Sequence, residues 1–358
     1  MTVLFLTFAY RSIENYCRLA ELKHQAINIS LRTGKSLILI SKEFVKENRL
    51  KSWFHLLTAL FLLLLLMAGS YWIKNIEGRI ACSLLIFLIN ARLFMVYHDY
   101  EHRAILNRSP VAHFIMMVFG WYILAPESIW KRSHDHHHKH NSKLFTASIG
   151  SYPIMTKQKF LASTVSERRT YLASRHPLSI LFGYFTMFIY GMCIRSFLTN
   201  WKRHFDSLIA IVFHLAIGTL LYINGGWTAV LLTLVIPFFM TGALGSYLFY
   251  VQHNFVGVTF KGNQDWSYDY AALASSSYIK MSGLMHWFTG NIGYHHIHHI
   301  NSRIPFYRLP EAMNKIPELQ DVVSTSLNVH DIIACLRLKV WDTDKNKMIS
   351  FSEMKLSA

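Results

Sequence analysis

Residues 53–73 read W-F-H-L-L-T-A-L-F-L-L-L-L-L-M-A-G-S-Y-W-I, a run without lysine, arginine or carboxylate. About 20 apolar residues make a helix of about 30 Å, the thickness of a bilayer's hydrocarbon core, and in lipid such a segment satisfies its backbone only as a helix. Trp53, Tyr71 and Trp72 stand at its ends as interfacial anchors. Three more runs follow the same logic: 80–97, 208–223 and 227–250, the last two joined by a tight turn at Asn224, Gly225 and Gly226. The chain is 52% hydrophobic with a mean hydropathy of +0.25, which agrees with several crossings and not with a soluble globule.

Histidines cluster just outside these runs. His98 and His102 stand four residues apart in H-D-Y-E-H; His134, His137 and His138 form His-x-x-His-His within S-H-D-H-H-H-K-H-N; His295, His298 and His299 repeat that spacing in G-Y-H-H-I-H-H. At about 100° per residue, positions i, i+3 and i+4 share one helix face. Each imidazole has two nitrogens that need partners, so groups this dense do not form a core. Eight histidines exceed one ion's needs and suit two. Imidazole accepts Zn, Cu, Fe or Ni, so spacing alone does not choose the metal.

A single centre built from all three groups needs them on one side of the membrane. The intervening stretches 111–125 and 178–194 are 15 and 17 residues long, the first about 22 Å as a helix and short of a full crossing. If only one crossed, the groups would face opposite sides; both are therefore expected in the interface. Ser109 and Pro110 ahead of the first read as an N-cap and a first helical residue.

The order of the three groups, with the tail N-I-G-Y-H-H-I-H-H-I-N-S-R-I-P-F-Y-R-L-P, resembles the membrane fatty acid desaturases, the bacterial acyl-lipid and omega-6 type in particular, over about residues 94–310. The resemblance implies an all-α integral membrane protein: four transmembrane helices, two interfacial helices and a cytoplasmic helical cap holding a histidine-rich di-iron site. His253, emerging after the fourth run in Q-H-N-F, matches a histidine that serves as a ligand in related desaturases and joins the other eight. Two irons, O2 as co-substrate, a lipid-linked fatty acyl substrate and an alkene product are implied with it. No GxGxxG, flavin motif or fused cytochrome b5 signature is present, which implies a separate electron donor of ferredoxin or cytochrome b5 type. A related hydroxylase or ketolase on a carotenoid, sterol or alkane is the alternative. A metal transporter would place ionisable groups at mid-membrane in several spans, whereas these histidines gather at one side.

Other residues have narrower roles. Asp99, Asp135 and Asn291 are placed to orient imidazoles, and His286 is a weaker ligand candidate. Arg92, about 9 Å below His98 on a helix, is either functional or paired within the bundle. Glu101 has no assigned role. His214, within the third run, reads as a packing histidine.

The division is a cytoplasmic N-terminal region at 1–52, a membrane desaturase domain at 53–310 and a cytoplasmic C-terminal tail at 311–358. Residues 1–52 carry nine Lys or Arg against four Glu and no convincing signal peptide, so the N-terminus, and with it the boxes, is expected in the cytoplasm. The net charge of +16 reads as a basic skirt for membrane lipids, since no nucleic-acid module gathers it. Cys17, Cys82, Cys193 and Cys335 include no CxxC pair, so neither disulfides nor a thiolate site is indicated. S-E-R-R-T-Y-L-A-S-R-H at 166–176 is a candidate surface for the electron donor, or a solvated helix face. D-T-D-K-N-K-M-I-S-F-S-E at 342–353 imitates an EF-hand at positions 1, 3, 5 and 12, but Lys347 replaces the glycine of position six, and no calcium site is expected.

Overall fold

The structure, a computed structural model, describes residues 32–144 and 150–356. The opening stretch weighed as a signal peptide and three of the nine basic residues of the N-terminal region, Arg11, Arg18 and Lys23, lie outside the described residues. Helix α1 (Gly34–Ser41) precedes α2 (Arg49–Trp72) and α3 (Ile76–Glu101). The side chain of Asn48 accepts from the backbone N–H of Lys51 and caps α2. Its outward face presents Phe54, Leu57, Phe61, Leu64 and Leu65 at 53–66% exposure, a stripe that water disfavours and lipid accepts. Helix α3 continues past residue 97, so His98 lies in its last turn and His102 caps it.

Ser109 caps α4 (Pro110–Tyr122), accepting from Ala112 N–H, with Pro110 at the first helical position as the pattern predicts. The chain then turns by 92° into α5 (Glu127–Lys139), through Leu124 at φ 60°. Residues 177–181 form a short helix, after which α6 (Tyr184–Arg195) is a π-helix. Close packing accompanies this irregularity: a Cβ on Gly242 would stand 2.6 Å from Tyr184 N, and one on Gly183 2.6 Å from Gly242 O.

Helix α7 (Phe205–Val230) runs through a π-helical turn into α8 (Ile236–Val251). The 47-residue stretch is not straight. Gly226 takes φ 62° and ψ −165°, a conformation glycine adopts readily, and beyond it the chain doubles back until His214 meets Phe238 with rings 4.8 Å apart. Among the described residues Arg49–Trp72, Ile76–Glu101 and Phe205–Val251 are long and apolar enough to cross a membrane.

The remaining chain folds over the ends of these helices: α9 (Tyr268–Ala274), α10 (Gly283–Phe288) and α11 (His295–Ile300). Two small strand pairs depart from an all-helical expectation. β1 (Tyr278–Lys280) pairs in parallel with β2 (Ser324–Ser326), and β3 (Leu338–Asp342) pairs antiparallel with β4 (Lys347–Ser350). The EF-hand imitation is the β3–β4 hairpin. Its Asp342 Oδ1 accepts the N–H groups of Asp344 and Lys345, and Glu353 accepts from Ser350 N–H.

Candidate metal centre

The nine sequence-predicted histidines come together in two sets. His98, His102, His134, His138 and His298 form one; His137, His253, His295 and His299 form the other. Within each set the nitrogens lie within 4.8 Å of one another. The boxes are therefore divided: α3 gives both of its histidines to the first set, while α5 and α11 each serve both.

The donor atoms face inward. Nε2 atoms approach at 3.0 Å between His98 and His134, 3.2 Å between His134 and His138, and 3.0 Å between His138 and His298. In the second set the pairs His253–His295 and His295–His299 are each at 3.0 Å. His98 Nδ1 faces Asp99 Oδ1 at 3.1 Å and His253 Nδ1 faces the Ser275 carbonyl at 2.9 Å. A neutral imidazole has a single N–H; donated there, it leaves Nε2 a bare lone pair pointing at its neighbours. The buried Nε2 atoms of His102 and His137 have no hydrogen-bond partner at all. Lone pairs so crowded need a shared cation. Nitrogens about 2.1 Å from an ion and at right angles to each other stand about 3.0 Å apart, so the residues present fit a metal in each set.

Burial, and then the neighbouring imidazoles, hold His134, His137, His138, His295, His298 and His299 well below the ordinary histidine range. Burial pushes His253 down to about 4. Near neutral pH these groups are unprotonated, the form that binds metal.

Supporting contacts match the expectations in part. Asp99 is buried and holds His98 while its Oδ2 accepts Phe306 N–H at 2.6 Å. Asp135 instead pairs with Lys131 at 3.2 Å near the surface, and Asn291 donates to the Phe306 carbonyl; neither touches an imidazole. His286 packs against Tyr278 and Tyr294, outside both sets. His296 is fully buried and turned away, its Nε2 3.0 Å from the Leu319 carbonyl. His136 and His140 stack on each other at 4.2 Å, also outside both sets. His214 meets the Tyr184 hydroxyl at 2.6 Å, in keeping with a packing role. Arg92 finds partners in the bundle: it donates to the Trp287 carbonyl, bonds His55 Nδ1 at 3.0 Å and stacks on the Trp287 ring at 4.0 Å. The basic patch is partly spent on structure. Arg168 donates to the carbonyls of Leu161 and Ser163, and buried Arg175 to Pro153 O, Tyr250 and Asn254. Two supports carry no sequence signal: the Ser275 carbonyl, and Trp130, stacked on His134 at 4.5 Å.

Against both sets lies an apolar cavity of about 120 Å³, touching His98, His134 and His295 and walled by α3, α6 and α8.

A helical protein with membrane-length apolar helices, a largely buried cluster of nine imidazoles and an apolar cavity beside them has the features of a membrane-associated histidine-rich enzyme whose cluster suits metal ions. The comparison of sequences makes this specific. Residues 76–324 match the family described as fatty acid desaturase. The chain is 29% identical over 272 residues to a fatty acid desaturase of Bacillus subtilis (strain 168), covering 74% of this chain and 75% of the relative. It is 23% identical over 319 residues to an sn-1 oleoyl-lipid 12-desaturase of Anabaena variabilis, with 83% and 85% covered. The chain belongs to the fatty acid desaturase family, and its activity is the desaturation of a fatty acyl chain.

Proposed function

We propose that the chain is a di-iron acyl-lipid desaturase, with one iron held by His98, His102, His134, His138 and His298 and the other by His137, His253, His295 and His299. Two irons there, with O2 as co-substrate, supply the oxidising power to remove hydrogen from an unactivated methylene. The rest is the work of the chain. Burial keeps His102, His134, His137, His138, His253, His295, His298 and His299 neutral, Asp99 and the Ser275 carbonyl fix the rings of His98 and His253, and the apolar cavity excludes water while holding the acyl chain against the histidines. The observation that carries this reading is the contact between that cavity and histidines of both sets.

Four spans follow if α2, α3 and the two arms of the hairpin bent at Gly226 all cross, leaving α4 and α6 at the interface and the remainder, with both termini, as a cytoplasmic cap. The division into 1–52, 53–310 and 311–358 is kept on this reading, as is a separate ferredoxin-type or cytochrome b5-type donor. The sn-1 oleoyl-lipid 12-desaturase relative favours a lipid-linked chain. The test is expression in a host of defined lipid composition, with gas chromatography of the fatty acid methyl esters and iron analysis of the purified protein. New alkenes and close to two irons per chain are expected; hydroxylated or ketolated products without an alkene would replace the reading by the hydroxylase alternative. Cysteine labelling in sealed vesicles should place positions 143, 202 and 261 on one side and 77 and 224 on the other.

A further inference from the structure

The cavity runs along one helix face. Phe238, Thr241, Gly245, Leu248, Phe249 and Gln252 of α8 and its C-cap all line it, and their spacing of three or four keeps them on a single stripe. From Gln252, beside the ligand candidate His253, to Phe238 the stripe spans 14 residues, about 21 Å. An extended chain advances about 3.6 Å per three bonds, so that length holds roughly 17 carbon–carbon bonds.

The far end of the stripe is closed by a different kind of packing. Phe238 meets Tyr122 at 4.9 Å, His214 at 4.8 Å and Tyr184 at 6.0 Å between ring centres. Tyr184 lines the cavity, and its hydroxyl lies 2.6 Å from His214 Nε2. A histidine and a tyrosine paired inside an apolar bundle fix each other, because turning either ring away would strand a polar atom without water. The backbone of Tyr184 packs so closely on Gly242 that a Cβ there would stand 2.6 Å from its N, which leaves it little room to retreat. The π-helix, a form that recurs at functional sites, sets Met187 and Phe188 on the same cavity wall.

We propose that Tyr184, locked by His214, is the stop of the acyl cavity and sets the length of chain the enzyme accepts. Tyr184 is the specificity-determining residue and His214 acts through it as a positioning residue. This inference rests on the desaturase reading above.

The test is a competition between a shorter and a longer saturated acyl chain fed together to the expressing host, with desaturated products of each quantified. Tyr184→Ala should deepen the cavity and raise the ratio of longer to shorter product, by about fourfold for each methylene accommodated. Tyr184→Trp should move the ratio the opposite way. His214→Phe should move it in the direction of Tyr184→Ala but less far. A general loss of packing would lower conversion of both chains without such opposite shifts. If Tyr184→Ala does not accumulate, Tyr184→Leu carries the same expectation. Unchanged ratios in variants that still convert substrate, beside a wild-type chain that makes alkenes, would overturn the chain-stop inference alone; absence of any new alkene from the wild-type chain would overturn the desaturase reading and this inference with it.

Discussion

His296 and His298 stand two residues apart on α11, and the structure gives them opposite duties. His298 belongs to the first nitrogen set; His296 is turned away and bonded to the Leu319 carbonyl at 3.0 Å. On the di-iron reading, His298→Leu should therefore lower iron from about two per chain toward one with little change in the apoprotein's stability. His296→Leu should leave iron content unchanged and remove one buried hydrogen bond, at a cost of about 2 kcal/mol at neutral pH and roughly 4 °C in Tm. The pH dependence separates them further. Burial holds His296 down to about 4 against about 6.5 unfolded, so below pH 6.5 the unfolded chain binds the extra proton and wild-type stability falls as pH falls. At about 1.4 kcal/mol per pH unit, the loss reaches about 3 kcal/mol by pH 4. His296→Leu lacks this term, so its stability should cross that of the wild type between neutral pH and pH 4. The assay is metal analysis of purified protein together with thermal unfolding of metal-free protein across that pH range in detergent. Iron loss in His296→Leu equal to that in His298→Leu, or curves that stay parallel, would refute the assignment.

Arg92→Met should destabilise the protein by about 2–4 kcal/mol, because the Trp287 carbonyl and His55 both lose a buried partner; Arg92→Lys should not restore it, since a point charge lacks the planar fork, and thermal unfolding reads both. Gly242→Ala places a Cβ 2.6 Å from Tyr184 N and 2.8 Å from its Cα, so α6 must shift at about 1–3 kcal/mol, seen as a lower Tm and reduced desaturation. Millimolar calcium should leave Tm unchanged, because Asp342 and Glu353 already accept backbone N–H groups in the β3–β4 hairpin; a calcium-dependent rise in Tm would contradict this.

Features governed by local chemistry could be read from the chain. Apolar length marked α2 and α3 to within four residues at each end, Ser109 and Pro110 marked the start of α4, and Asn224-Gly225-Gly226 marked the place where the long helix doubles back. Features decided by distant partners could not. The π-helix of α6 lies against Gly242, nearly 60 positions later, and no periodicity within 178–194 announces it. The strand pair β1–β2 joins segments more than 40 residues apart. That the nine histidines named from the sequence gather in one place was legible, but their sorting was not: His137 and His138 are neighbours on α5 yet fall in different sets, because successive residues point about 100° apart and only the surrounding helices determine where each ring ends up. Asn291 failed as a support for the same reason, its amide being taken by the Phe306 carbonyl.

The division of α11 between the two sets also orders events during synthesis. Each set lacks a member until residues 295–299 exist: the first waits for His298, the second for His295 and His299. By then the long apolar helices α2, α3, α7 and α8, all earlier in the chain, have already been made. On the di-iron reading, neither ion could find its full set of imidazoles before α11 is made, so a chain ending short of residue 295 would lack His298 in the first set and His295 and His299 in the second.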